Sequence, residues 1–216
     1  MKVLIADDHQ MFRQGLRLLL ESQPDVEVVA ETGDGRSAVQ MAAEFAPDIV
    51  VMDVSMPDLN GIDATRQILA NAPPGKAPKV IALSAHSDQH FAQQMLAAGA
   101  CGYVAKLAAF PEMMEALSTV LAGKIYVSPT LGAAIKAGAS NDASASNKLS
   151  PREREILQLL SEGKAMKEIA SVLSVSIKTV ETHRRTMMSK LGLYSVAELT
   201  KYAIREGVTS LEMPAR

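Results

Sequence analysis

Five short apolar runs, each closed by a polar residue and separated by helical patterns, restrict the first half of this chain to one kind of architecture. The runs fall at 2–6, 26–30, 48–52, 79–83 and 102–105 and are rich in Val and Ile. They are apolar almost throughout instead of alternating, which suits parallel strands covered on both faces. Between the first two, Phe12, Leu16, Leu19 and Leu20 mark one face of a helix. Similar patterns occupy about 35–45, 62–71, 88–98 and 111–122, with Pro111 suited to a first helical turn. Strand and helix alternating five times predict a doubly wound α/β domain around a five-stranded parallel sheet.

The polar residues that interrupt this pattern collect at one place. Asp7 and Asp8 follow the first run, Asp53 the third, Ser84 the fourth and Lys106 the fifth. In an open parallel sheet the carboxyl ends of the strands form the ligand crevice. Three carboxylates there repel one another unless a cation sits among them, and hard oxygen donors suit Mg²⁺. A carboxylate so placed can attack phosphorus while Mg²⁺ and Lys106 neutralise the phosphoryl oxygens. A competing motif, Gly33-Asp34-Gly35-Arg36-Ser37-Ala38, fits a dinucleotide-binding turn. It follows the second run instead of the first, and it leaves Asp7, Asp8, Ser84 and Lys106 without a role.

Charge separates the chain into parts. The 216 residues sum to −2, but residues 1–125 carry −6, residues 126–147 zero and residues 148–216 +4. An average near zero therefore conceals an acidic unit and a basic one. The neutral stretch includes Gly138, Ser140, Asn141, Ser144 and Ser146 and has no apolar period, so 126–147 reads as a flexible linker. About 20 such residues have a root-mean-square span of roughly 25 Å. No run reaches the ~18–20 apolar residues of a membrane span, and Asp7-Asp8 comes too early for a signal peptide. A single cysteine, Cys101, excludes an internal disulfide framework. A cytoplasmic protein is expected.

The basic unit reads as helices. Ser150-Pro151-Arg152-Glu153 is a capping box with proline at the first helical position. A helix follows to Gly163, a second runs over about 167–173 and a third over about 177–191; Ser195 and Glu198 open a fourth. Two short helices joined by a tight turn, the second basic, form a helix-turn-helix pattern. In the third helix Val180, His183, Met187 and Leu191 share an inward face. Glu181, Thr182, Arg185 and Ser189 then point outward, flanked by Lys178, Arg184 and Lys190. Segment 176–191 is +3, and basic side chains supply affinity for phosphates while outward polar ones read base edges.

The residues quoted resemble two families. Residues 1–125 resemble the receiver domain of two-component response regulators, through Asp7-Asp8-His9, the run from Met52 through Asp53 to Gly61, Leu83-Ser84-Ala85-His86, and Gly102-Tyr103-Val104-Ala105-Lys106. The resemblance implies that Asp53 is the phosphoacceptor and that Asp8, Asp53 and the Ser55 carbonyl bind Mg²⁺, with Asp7 acting through water. It further implies that Ser84 and Lys106 contact the phosphoryl group and that Tyr103 changes rotamer with Ser84 as the switch. His9 reads as a packing or capping residue, and Ser55 and His86 as residues that set the phosphoryl lifetime.

Residues 149 to about 207 resemble the LuxR-type tetrahelical domain of the NarL/FixJ class. The similarity runs through Leu149 to Glu155, Lys167-Glu168-Ile169-Ala170, the run from Ser176 to Arg185, and Lys190-Leu191-Gly192. It implies DNA contacts from Lys178, Thr179, Glu181, Thr182, Arg184, Arg185 and Lys190, and pairing of two subunits through the fourth helix. Ala165 and Met166 depart from the small polar residues usual there, so the second helix is expected to lack its cap. Together these imply a regulator, not an enzyme beyond its own phosphorylation and slow dephosphorylation. Its implied partners are a sensor histidine kinase, double-stranded DNA and a second copy of itself. A Mg²⁺-dependent phosphatase is the alternative for the crevice alone, and it leaves the basic helix unexplained.

Overall fold

The strands form where the apolar runs stand. In the computed structural model, which describes residues 1–85, 89–129 and 149–209, they are β1 (Lys2–Ala6), β2 (Glu27–Thr32), β3 (Ile49–Asp53), β4 (Lys79–Ser84), β5 (Gly102–Ala105) and β6 (Tyr126–Val127). All neighbours pair in parallel, in the order β2-β1-β3-β4-β5-β6. The helices are α1 (Gln10–Glu21), α2 (Gly35–Phe45), α3 (Gly61–Asn71), α4 (Gln89–Ala97) and α5 (Ala109–Leu121). Alternate side chains of each strand feed opposite layers, which explains the unbroken apolarity. Val3, Ile5, Ile49, Val51, Ile81, Leu83 and Val104 pack with Leu16 and Leu20 of α1 and with Met113, Leu117 and Val120 of α5. Leu4, Ala6, Val50, Met52, Val80, Ala82 and Tyr103 face the layer of α2, α3 and α4.

Two boundaries differ from expectation. The sheet has six strands, not five, because Tyr126 pairs with Gly102 and Val127 with Tyr103. Residues 126 and 127 therefore belong to the sheet and not to the linker. A two-residue strand is too short to show a period, and the Tyr126 hydroxyl and Ser128 are instead tied to Glu112 of α5. The fifth helix also begins earlier than Pro111, since a 3₁₀ turn at Lys106–Ala108 runs straight into Ala109. Residues 130–147 of the expected linker, Lys148 and His86 lie outside the described residues.

The second unit, residues 149–209, consists of α6 (Pro151–Ser161), α7 (Met166–Val172), α8 (Ile177–Leu191) and α9 (Val196–Arg205). Ser150 and Glu153 close a capping box on α6, and Ser195 and Glu198 close another on α9. Ala165 offers α7 no acceptor, although Glu168 Oε2 accepts from the Ala165 N–H at 2.7 Å, so half of a box survives. The turn into α8 passes through Ser174 at φ 52°, and Ser176 caps the helix by accepting from the Thr179 N–H at 3.1 Å. Val180 and Met187 are fully buried against Ile156, Leu160, Ile169 and Leu199, while His183 and Leu191 are half-buried. Gly192 ends α8 in the left-handed region at φ 66°.

Candidate phosphoacceptor site and candidate DNA-reading helix

The order β2-β1-β3 reverses the direction of winding at β1, so the crevice opens beyond the ends of β1 and β3. Asp7 and Asp8 leave β1 there and Asp53 is the last residue of β3. Asp7 and Asp53 are buried, at 0% and 1% exposure, and Asp8 is half-buried. Lys106, first residue of the 3₁₀ turn after β5, reaches both, 2.7 Å from Asp53 Oδ2 and 2.8 Å from Asp7 Oδ2. Its ammonium also stands 5.3 Å from the centre of the Phe12 ring, which itself packs on Phe110. The Ser55 N–H donates to Asp53 Oδ1 at 3.3 Å, so the β3–α3 loop folds back over the carboxylate.

That loop is held by a backbone bond and a side-chain cap. The Gly61 N–H donates to the Val54 carbonyl at 2.9 Å, and Asn60 caps α3 by accepting from the Asp63 N–H at 2.9 Å. A Cβ on Gly61 would lie 1.9 Å from the Asp53 carbonyl oxygen, and one on Gly35 would lie 2.1 Å from that of Leu59. Glycine is therefore required at both for close approach, not for an unusual φ.

The charges set the protonation of the site. Burial first, and then the Asp7 carboxylate, push Asp53 up to about 8, against the opposing pull of Lys106. Lys106 is held above its ordinary value: burial works against the ammonium, but Asp53 and Asp7 outweigh it. Asp7 Oδ2 is held by Lys106 Nζ at 2.8 Å, and Asp8 Oδ1 lies 2.7 Å from His9 Nδ1. Ligand atoms of Asp7, Asp8, His9 and Asp53 all lie within 4.8 Å of one another. With three carboxylates facing one lysine, the donor set fits a divalent cation.

Ser84 is the last residue of β4, one beyond Leu83, which pairs with Asp53; it is buried at the same sheet edge. Tyr103 is fully buried on β5 and faces the α2–α4 layer. Two residues near the crevice were not anticipated from sequence. Arg13 donates through Nη1 to the Asp7 carbonyl, and Phe12 underlies Lys106. A signal existed, since both sit in the first turn of the helix that follows the acidic pair.

On α8, Glu181, Thr182, Arg185 and Ser189 are exposed, as is Lys178, and Arg184 is half-buried. At least three of the residues assigned to DNA have partners within the unit, among them Thr182, whose Oγ1 donates to the Lys178 carbonyl at 2.9 Å. Thr179 Oγ1 lies 2.8 Å from Ser176 Oγ in the helix cap. Lys190 donates to both carboxylate oxygens of Glu153 at 2.8 Å, tying α8 to α6. Burial works against the Glu153 carboxylate, but Lys190 and the Ser150 cap hold it below its ordinary value.

Comparison with known proteins agrees with this geometry. Residues 3–118 match the response regulator receiver domain family, and residues 147–203 match the luxR family of bacterial regulatory proteins. Oxygen regulatory protein NreC of Staphylococcus aureus (strain MRSA252) is 39% identical over 215 residues, covering 95% of this chain and 98% of that protein. RcsB from Salmonella enterica serovar Typhimurium, solved bound to promoter P1flhDC in the presence of the phosphomimetic BeF3⁻, is 28% identical. It covers 97% of this chain and 99% of its own, at a TM-score of 0.58. A LuxR-family two-component response regulator from Aurantimonas sp. SI85-9A1 is 36% identical over 63% of this chain and 95% of its own, at a TM-score of 0.59. With a parallel-sheet receiver followed by a LuxR-type helical domain, the chain belongs to the NarL/FixJ class of two-component response regulators.

Proposed function

We propose that transfer of a phosphoryl group to Asp53, from the phosphohistidine of a sensor kinase, switches sequence-specific DNA binding by the second unit. The observation that carries this reading is the Asp53 carboxylate, buried at the end of β3, held by Lys106 at 2.7 Å and crowded by Asp7 and Asp8. One Asp53 oxygen forms a bond to phosphorus as the phosphorus–nitrogen bond of the donor breaks, and the electron pair leaves with the donor's imidazole. Lys106 shifts from two carboxylates toward the incoming phosphoryl oxygens and neutralises them. Ser84 donates its hydroxyl to the same group from the end of β4.

Asp8, Asp53 and the Ser55 carbonyl would hold Mg²⁺, with Asp7 acting through a water; its chemistry is neutralisation of charge on phosphorus-bound oxygens. The crowding of the Asp7, Asp8 and Asp53 carboxylates, with ligand atoms within 4.8 Å of one another, supports that assignment. No turnover of an external substrate is expected, only slow return of phosphate to water from Asp53.

Phosphorylation adds nearly two negative charges at this crevice. Ser84 and Tyr103 then bias the receiver between two arrangements, favouring dimers competent for DNA. In the second unit, Glu181, Thr182 and Arg185 read base edges from exposed positions on α8, while Lys178 and Arg184 meet phosphates and Thr179 lies at the helix start. Half-sites one turn of DNA apart, ~34 Å, suit a symmetric pair joined through α9. The promoter-bound RcsB relative supports this reading. A cytoplasmic site of action is part of the proposal.

The test uses acetyl phosphate with Mg²⁺, read by intact mass, and retention of promoter fragments before and after. The wild-type chain is expected to gain one phosphoryl group and bind DNA more tightly, and Asp53→Asn to do neither. Normal uptake by Asp53→Asn would show that the acceptor is another residue.

A further inference from the structure

Glu181 is the one acidic side chain in α8, a helix otherwise fitted to a polyanion. It is exposed with Thr182 and Arg185, because Val180 and Met187 turn another side of the helix into the core. Two cations lie within helical reach of it, Lys178 three residues before and Arg185 four residues after, the second in the order that favours an ion pair. Yet among the described residues neither the Glu181 carboxylate nor the Arg185 guanidinium has an ion-pair or hydrogen-bond partner. Thr182 differs. Its hydroxyl donates to the Lys178 carbonyl at 2.9 Å, so its γ-methyl is the group left for a partner.

The chemistry of these three groups selects among bases. An ionised carboxylate only accepts hydrogen bonds, and a guanidinium only donates them. In the major groove guanine offers two acceptors, thymine an acceptor and a methyl, and adenine an acceptor beside its donor. Cytosine alone offers a donor without an acceptor. Glu181 is therefore attracted by cytosine and repelled by the other three, while Arg185 fits the two acceptors of guanine. The Thr182 methyl fits the methyl of thymine. Four residues of helix rise ~6 Å, about two steps of the ~3.4 Å base stack, so the three groups meet neighbouring pairs.

We propose that α8 reads a half-site core of adjoining cytosine, thymine and guanine, taken by Glu181, Thr182 and Arg185 respectively, with Glu181 serving chiefly to reject other bases. The proposal rests on the DNA reading given above and goes beyond it in naming the bases.

The test reads the sequences that the full-length chain retains from a randomised duplex pool, with and without acetyl phosphate and Mg²⁺. Wild type is compared with Glu181→Gln and Arg185→Ala, which alter exposed side chains without partners and so are expected to fold normally. Wild type is expected to prefer cytosine at one position and guanine within two pairs of it, each about tenfold over other bases. Glu181→Gln should turn the cytosine preference toward adenine, keep the guanine and bind random DNA severalfold more tightly. Arg185→Ala should lose the guanine alone. Replacing the adjoining thymine by deoxyuridine, which removes only the methyl, should weaken wild type about threefold and Thr182→Ser not at all. Cytosine retained in Glu181→Gln, or both preferences lost together in either variant, overturns the proposal and leaves DNA binding standing. A wild-type chain that selects no sequence overturns both.

Discussion

Burial and the neighbouring Asp7 carboxylate push Asp53 up to about 8, so the folded receiver holds a proton there that the unfolded chain releases near 4. The sign of the linkage follows. Stability from this group is full at pH values below the unfolded pKa and is lost as pH rises through about 8. In metal-free buffer the receiver is therefore expected to melt at lower temperature as pH rises from 5 to about 8, and Asp53→Asn to remove most of that slope. At the upper end the variant should be more stable by roughly 1–3 kcal/mol, a gain of several degrees in Tm by calorimetry. Added Mg²⁺ should narrow the difference. The acidic residues were legible from sequence because each ends an apolar run, and strand ends in a parallel sheet converge. Arg13 and Phe12 were not, because their part depends on how the first turn of α1 folds back toward Asp7 and Lys106.

Among the elements, β6 and α8 illustrate what period can and cannot reveal. The strands β1 and β5 stand at 2–6 and 102–105 as their apolar runs predict, while β2 continues past its run through Glu31 and Thr32. Backbone pairing with β1 carries β2 on after its apolarity has ended. With only two residues, β6 has no period at all, and its anchors are polar: Glu112 accepts from Tyr126 and Ser128, and the Ser128 N–H donates to the Tyr103 carbonyl at 2.9 Å. Burial, then Glu112, push the Tyr126 phenol up to about 12. Glu112→Gln is expected to bring that titration back toward 10, followed by ultraviolet absorbance, and to speed amide exchange at 126–128 severalfold. On α8, the outward face was legible from angle, but the Lys190–Glu153 pair was not, since it joins residues 37 apart in sequence. Lys190→Met should lower the stability of the second unit by about 1 kcal/mol in a thermal melt, because it strips a partner from a buried carboxylate. Glu153 is held below its ordinary value, so the contribution of this pair is present above about pH 4.5 and fades as pH falls.

The whole molecule carries its charge in two portions, −6 over residues 1–125 and +4 over residues 148–216. This division was fully legible, because charge is additive along a chain and needs no geometry. What the sum does not tell is which basic residues are already engaged. Lys178 is exposed and Lys190 is bound to Glu153. In DNA titrations over a range of salt, Lys178→Ala is therefore expected to reduce the magnitude of the slope of log affinity against log salt by about one, and Lys190→Ala by clearly less. Equal reductions would mean that Lys190 leaves Glu153 when DNA arrives.

The close packing at Gly61 has a genetic consequence. The first atom that any larger side chain meets there is the carbonyl oxygen of Asp53, 1.9 Å from where a Cβ would stand. A missense allele at this codon thus displaces the peptide of the proposed acceptor while leaving every acidic residue intact. In a cell it would be scored as a signalling-dead allele, and a survey confined to charged residues would overlook the cause.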